Sequence, residues 1–89
     1  MVKHLNIIIT GRVQGVFFRH FSEREAQKLD IKGLVKNLPD GSLYIEAEGE
    51  KENLDKFTKW CKKGPKFAKI EQIKTSETPI KNYNKFSII

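Results

Sequence analysis

Residues 31–48 read IKGLVKNLPDGSLYIEAE, and the rest of the chain can be placed around this stretch. Ile31 to Asn37 and Ser42 to Glu48 are each short, rich in apolar residues and bounded by turn signals, as β-strands are. Leu38 to Gly41 separates them with Pro, Asp and Gly, which respectively fix φ, bond the local backbone and accept a positive φ. We therefore predict two antiparallel strands joined as a β-hairpin.

The second strand of the hairpin alternates between apolar and acidic side chains. Leu43, Ile45 and Ala47 share one parity and are expected to face the core, whereas Glu46 and Glu48 share the other. The sequence therefore predicts that both glutamates lie on an outward face in contact with water.

A helical spacing of apolar residues lies on each side of the hairpin. Before it, a helix expected to end near Asp30 carries four apolar residues within one face: Phe18, Phe21, Ala26 and Leu29. After it, Glu50 to Lys63 is a second predicted helix, with acidic residues near its start and lysines at its end, as the helix dipole favours. Cys61 lies on the apolar stripe of this helix and is expected to be a core residue rather than a nucleophile.

Strand patterns complete the chain at both ends. Lys3 to Thr10 alternates apart from Ile8, and Ala68 to Thr78 and Tyr83 to Ile89 hold further strands. The order is β-α-β-β-α-β with a terminal strand. This predicts an α+β, ferredoxin-like sandwich, a mainly antiparallel sheet with two helices on one face and a short C-terminal strand. At this length, residues 1–89 are expected to form a single domain.

The composition limits the classes of protein to consider. The net charge is +6 and the isoelectric point is about 9.6, which suits either solubility or an anionic ligand. Cys61 is the only cysteine, so no internal disulfide can form, and no pattern of a signal peptide or transmembrane helix is visible. We therefore expect a cytoplasmic protein with no membrane partner, for which a monomer is the simplest expectation.

Gly11 to Arg19, GRVQGVFFR, joins the first predicted strand to the first helix. Glycines let successive backbone N–H groups converge, a helix N-terminus adds unpaired donors, and an arginine offers a planar fork of donors for phosphate oxygens. The segment is therefore either an anion site or a tight turn with a surface arginine. It has neither the GxGxxG spacing nor a GK[ST] sequence, which argues against those nucleotide-binding loops. Arg12 and Gln14 lie inside it and are not expected to be catalytic.

The same nine residues resemble a signature of the acylphosphatase family, G-x-V-Q-G-V-x-[FY]-R. Gly33 to Gly41 resembles a second block of that family, G-x-V-x-N-x-x-D-G, and a weaker likeness continues through Gly64-Pro65 and Phe86. One departure is visible, because Asp30 stands where the family often has glycine, which affects stability rather than chemistry. The resemblance covers essentially the whole chain and implies a ferredoxin-like sandwich.

This resemblance implies an enzyme that hydrolyses the carboxyl–phosphate bond of acyl phosphates by in-line attack of water, without a metal or cofactor. The products would be a carboxylate and inorganic phosphate. Arg19 would bind the substrate and Asn37 would position the water. The backbone N–H groups of five consecutive residues would hold the phosphate: Gly15, Val16, Phe17, Phe18 and Arg19. Ser22 stands where the family usually has threonine and would support the Asn37 side chain.

Two other functions remain open. A basic nucleic-acid-binding module would share the βαββαβ order, but RNA-recognition domains expose aromatic residues on their central strands, where this chain has only Tyr44. Nucleic acid is therefore not the expected partner. The other is a degenerate family domain that binds an acyl-phosphate-like ligand within a larger assembly, against which the presence of both Arg19 and Asn37 argues.

The remaining candidate residues are expected to be structural. His4 and His20 have no second ligand at a metal-binding spacing, so surface or partly buried structural roles are predicted for both. Phe18 and Phe21 are predicted to lie in the core, whereas Phe17 could line the mouth of the substrate site.

Overall fold

The computed structural model describes residues 1–89 and follows the predicted order of elements. In chain order these are β1 Val2–Arg12, α1 Phe18–Lys28, β2 Lys32–Asn37, β3 Leu43–Glu50, α2 Lys51–Lys63, β4 Lys69–Thr78 and β5 Phe86–Ile88. The last strand is shorter than the predicted Tyr83 to Ile89, because the backbone at Tyr83 donates to a side chain of β3 instead of joining the sheet. No helix is both long and apolar enough to cross a membrane.

The five strands form one sheet in the order β4-β1-β3-β2-β5. β1 is antiparallel to both of its neighbours, with Ile7 opposite Ile45 of β3. β2 pairs antiparallel with β3, which confirms the predicted hairpin, and β5 is added parallel to β2 with Phe86 beside Gly33. The fold is the predicted α+β, ferredoxin-like sandwich with two helices on the sheet.

The core lies between the sheet and the helices. Three residues contribute from α2: Leu54, Phe57 and Cys61. Cys61 is fully buried, as predicted, and burial raises the pKa of its thiol. The buried row of α1 is Phe18, Ser22 and Ala26. Phe21 lies beside this row and is 40% exposed, so the prediction that placed it in the core is wrong.

His4, Glu46 and Glu48 form a buried polar cluster on β1 and β3, which we call the carboxylate cluster. The two glutamates are only 6% and 5% exposed, so the prediction that they face water is wrong. His4 is fully buried between them, with Nδ1 2.9 Å from Glu48 Oε1 and Nε2 2.9 Å from Glu46 Oε1. A structural role was predicted for His4, but at the surface or partly buried, and the predicted exposure is wrong because the side chain is fully buried.

The segment between β4 and β5 covers the carboxylate cluster. The backbone N–H groups of Lys81 and Tyr83 donate to the carboxylate of Glu48 at 2.7 and 3.0 Å. The ammonium of Lys81 and the hydroxyl of Tyr83 donate to Glu46 Oε1 at 2.8 and 3.2 Å, and the Tyr44 hydroxyl donates to Glu46 Oε2 at 2.9 Å. Alternation along β3 reveals which side chains share a face, but it cannot reveal that a later segment crosses that face.

Candidate active site

Two glycines, one near the end of β1 and one inside the loop, determine the path of the β1–α1 loop, residues 13–17. Gly11 lies at the end of β1 against β4, where a Cβ would be 2.2 Å from the carbonyl oxygen of Lys69, so no other residue fits without displacing backbone. Gly15 has a φ of 74°, a left-handed conformation that glycine adopts without strain. These two requirements determine how the chain leaves β1 and turns toward α1.

Phe17 precedes α1 in an unusual backbone conformation. Its φ of 63° and ψ of 21° lie in the left-handed region, which costs a residue with a Cβ about 1–2 kcal/mol. Its side chain is nevertheless 70% exposed, so core burial does not offset the strain. No side chain caps α1, and the first N–H groups of the helix are therefore available to a ligand. Strain of this kind is concentrated at functional sites.

A cavity of about 320 Å³ lies at this end of α1. Eight residues line it: Val13, Gly15, Phe17, Phe18, Arg19, His20, Asn37 and Ile88. The fold thus brings Arg19 and Asn37, which come from different elements, to one cavity. Val16 is absent from the lining because its side chain is 5% exposed and packs in the core, so only its backbone can serve a ligand there.

Arg19 lies on the first turn of α1 and is exposed. Its guanidinium forms no ion pair with any carboxylate of the chain. Its N–H donors are therefore available to an anion in the cavity, and the positive end of the α1 dipole lies on the same side. The electrostatics of this end of the helix suit a phosphate-like group.

Asn37 is the last residue of β2, and its side-chain oxygen is buried without a hydrogen-bond donor. Ser22, on the buried row of α1, has a hydroxyl that is also buried without a partner. No hydrogen bond joins these two side chains, and the support of Asn37 by Ser22 stays a prediction. A buried polar atom without a partner costs about 1–3 kcal/mol. The side-chain oxygens of Asn6, Thr58 and Thr78 also lack a partner, so what distinguishes Asn37 is that it lines the cavity as well.

Gln14 connects the loop to the hairpin turn, a contact that sequence reasoning missed. Its side-chain nitrogen donates to the carbonyl oxygens of Leu38 and Ser42 at 2.8 and 2.9 Å. The turn itself is held by Asp40, whose Oδ1 accepts from the Ser42 hydroxyl and backbone N–H, and these hydrogen bonds lower the pKa of Asp40. Gln14 thereby fixes the β1–α1 loop to the turn that follows Asn37.

His20 is the second titratable side chain at the cavity. It follows Arg19 on α1 and is exposed, with its ring packed edge-on against Phe21 at 5.1 Å between centroids. We predicted a surface or partly buried structural role for it, and it lies at the surface while lining the cavity. No group of three or more His, Cys, Asp or Glu side chains is placed to hold a metal ion.

Comparison with known proteins identifies the family of the chain. The family model described as Acylphosphatase matches residues 5–88. The chain belongs to the acylphosphatase family. An acylphosphatase from Archaeoglobus fulgidus is 48% identical over 84 residues, which are 94% of each chain.

Two solved structures extend this likeness to three dimensions. The crystal structure of acylphosphatase from Bacillus subtilis matches with a TM-score of 0.95 and 40% identity over 100% of this chain and 99% of that one. The structure of full-length HypF in its phosphate- and nucleotide-bound form matches with a TM-score of 0.91 and 36% identity, over 100% of this chain but only 12% of HypF.

The family and the acylphosphatase function predicted from the sequence are thus confirmed, and the protein is a hydrolase. Its substrates are small acyl phosphates, and inorganic phosphate is a product. The basic nucleic-acid-binding module is disfavoured accordingly.

Proposed function

We propose that residues 15–19 bind the phosphoryl group of the acyl phosphate and that Asn37 orients the water that attacks it. The observation that carries the proposal is the shared cavity, which Arg19 and Asn37 both line at the uncapped N-terminus of α1. The attacking water forms a bond to phosphorus as the bond from phosphorus to the acyl oxygen breaks. The carboxylate leaves with the bonding electrons, and the protons of the water stay on the phosphate product.

The phosphoryl group is held by donors of two kinds. Arg19 supplies a charged, planar fork, and the N–H groups of Gly15, Val16, Phe17, Phe18 and Arg19 supply neutral donors at the positive end of α1. Charge in the transition state spreads over the equatorial phosphate oxygens, where fixed donors are most effective. These residues therefore stabilise the transition state more than they stabilise the bound substrate.

Asn37 acts by orientation rather than by removing a proton, because its amide is neutral and not basic. The amide can accept from and donate to one water and so set its direction of approach, in line with the leaving oxygen. Ser22 would support this role by donating its hydroxyl to the Asn37 oxygen in the substrate complex, since both atoms are buried and neither has a partner in the free chain. No general acid is needed, because a carboxylate is already a good leaving group. We propose no metal or cofactor in this reaction.

We further propose that residues 1–89 act as a single domain, as a monomer, in the cytoplasm and without a membrane or nucleic-acid partner. The second candidate is a domain that works only within a larger assembly, which the match to one part of HypF favours. Turnover by the isolated chain separates the two. An isolated chain that binds inorganic phosphate but does not hydrolyse acyl phosphates would support the second candidate.

The proposal is tested by benzoyl phosphate hydrolysis with wild type, Arg19→Gln and Asn37→Ala, in the presence and absence of a chelator. Arg24→Gln is the matched control, because Arg24 is exposed on the same helix and does not line the cavity. Arg19→Gln is expected to lower kcat/KM by about 10³-fold or more, and Asn37→Ala to lower kcat while the inhibition constant of inorganic phosphate stays near wild type.

Several results would count against the proposal. A folded Asn37→Ala enzyme with wild-type kcat would remove Asn37 from water positioning. Strong inhibition by chelator would overturn the metal-free reaction. A salt-dependent shift with RNA, found together with no hydrolysis, would restore the nucleic-acid-binding alternative.

A further inference from the structure

A second cavity, of about 410 Å³, adjoins the candidate active site. Phe17 lines both cavities, so the two meet at its ring. The other residues that line the second cavity are mostly apolar: Val16, Phe21, Trp60, Pro65, Lys66 and Phe67. We call it the apolar cavity. Its volume lies within the range of small-molecule binding sites.

Three phenylalanine side chains that line the apolar cavity are exposed rather than buried in the core. Phe17 is 70% exposed, Phe67 is 64% exposed and Phe21 is 40% exposed. Apolar side chains that gather at one exposed place mark a binding site more often than chance. Phe17 in addition keeps its left-handed backbone conformation while its ring stays outside the core. The apolar cavity therefore has the features of a ligand site.

The charge at the apolar cavity suits an anionic molecule. Lys66 is its only charged residue, and its Nζ lies 5.6 Å from the centre of the Phe67 ring. No carboxylate lines either cavity. An anion that carries an apolar substituent would thus meet positive charge and apolar surface together, without repulsion from a like charge.

We propose that the apolar cavity holds the acyl group of the substrate and that Phe21 and Phe67 determine how strongly the enzyme discriminates between a large apolar acyl group and a small one. This rests on the proposed function, because it takes the phosphoryl group as held by residues 15–19. The acyl group is then one bridging oxygen away, and Phe17 leads from the phosphate site to further apolar surface. Burial of a ring or alkyl chain on that surface stabilises the bound substrate in proportion to the apolar area covered.

The test compares kcat/KM for benzoyl phosphate and for acetyl phosphate in wild type, Phe67→Ser and Phe21→Ser. Both residues are exposed, and the second variant carries the test should the first not fold. Ile80→Ser is the control, because Ile80 is 48% exposed and lines neither cavity. Comparing the ratio of the two kcat/KM values between enzymes cancels the difference in intrinsic reactivity of the two substrates, because that difference is the same for wild type and each variant. We expect Phe67→Ser to lower the benzoyl-to-acetyl ratio by about tenfold and Ile80→Ser to leave it unchanged.

Inorganic phosphate serves as a separate probe of the phosphate site. Under the proposal its inhibition constant stays at the wild-type value in Phe67→Ser while the ratio falls. An unchanged ratio would overturn the proposal, and a change of elution volume in gel filtration alongside it would assign the cavity to a second copy of the chain. Failure of the proposed function would give a different result, because Arg19→Gln would then hydrolyse both substrates at the wild-type rate.

Discussion

The candidate active site and the carboxylate cluster differ in whether their polar groups find partners within the chain. At the candidate active site, the buried oxygen of Asn37 has no partner and Arg19 has no ion pair, and the buried hydroxyl of Ser22, on the same helix as Arg19, has no partner either. In the carboxylate cluster, every carboxylate oxygen of Glu46 and Glu48 accepts at least one hydrogen bond.

This difference follows from what each region must do. Groups that hold a fold together are most effective when they satisfy one another, because any buried group left over destabilises the folded state. Groups that hold a ligand must leave donors and acceptors for it. We therefore expect substitutions at the active site to change catalysis with little effect on stability, and substitutions in the carboxylate cluster to do the reverse.

The largest effect is expected for Arg19→Gln. Its kcat/KM should fall by about 10³-fold or more, because several hydrogen bonds and a positive charge are removed from the transition state. Its free energy of unfolding should stay within about 0.5 kcal/mol of wild type, since the side chain is exposed and makes no ion pair. Urea denaturation and benzoyl phosphate kinetics on one preparation check both halves. A loss of several kcal/mol of stability would erase the contrast with the carboxylate cluster.

Glu46→Gln is expected to destabilise the fold by about 3 kcal/mol, because it breaks a buried charged group that accepts four hydrogen bonds. The measurement is the free energy of unfolding in urea. Glu77→Gln is the matched control, since its ion pair with Lys3 is solvent-exposed and should be worth less than about 1 kcal/mol. The folded Glu46→Gln enzyme should keep its kcat. A fall in kcat comparable with that of Arg19→Gln would show that the two regions are coupled.

The environment of Glu46 also predicts how the free energy of unfolding depends on pH. Its burial would raise the pKa, but hydrogen bonds from Lys81, Tyr44 and His4 outweigh burial and lower the pKa of Glu46 to about 2. The pKa of Glu48 is lowered too, because its burial is outweighed by the N–H of Lys81 and the ring of His4. A carboxyl whose pKa is lower in the folded state than its ordinary value of 4.5 stabilises the fold above that value.

The contribution of Glu46, roughly 3 kcal/mol, should therefore be lost as the pH falls from about 4.5 toward about 2. Free energies of unfolding measured across this interval should fall steeply in wild type and in Glu77→Gln, and less steeply in Glu46→Gln. Equal slopes in all three proteins would mean that Glu46 does not keep its charge through these hydrogen bonds.

Local patterns could be predicted from the sequence, whereas contacts between distant segments could not. Strand and helix patterns are local, so the hairpin of residues 31–48 and the two flanking helices could be predicted from spacing and turn residues alone. Arg19 and Asn37 could be proposed because each lies in a contiguous motif. The burial of Glu46 could not, because it depends on the segment around Lys81, which is distant in sequence and crosses the sheet only in the folded chain.

Gln14 is expected to affect both catalysis and stability, and its substitution is expected to have the smallest effect of those considered. Its two hydrogen bonds fix the β1–α1 loop to the turn beyond Asn37. In Gln14→Ala we expect kcat/KM to fall about tenfold, because the loop and Asn37 lose their common support, and the free energy of unfolding to fall by about 1–2 kcal/mol. Gln27→Ala, an exposed position on α1, should change neither.

A double-mutant cycle distinguishes positioning from simple loss of stability. If Gln14 acts by holding the loop in register with Asn37, its substitution should cost much less activity when Asn37 is already alanine than it does in wild type. Additive losses in Gln14→Ala/Asn37→Ala would mean that Gln14 acts independently of Asn37. The hydrogen bonds of Gln14 would then resemble those of the carboxylate cluster, in that they only stabilise the fold. Catalysis would in that case not depend on Gln14 holding the loop beside Asn37.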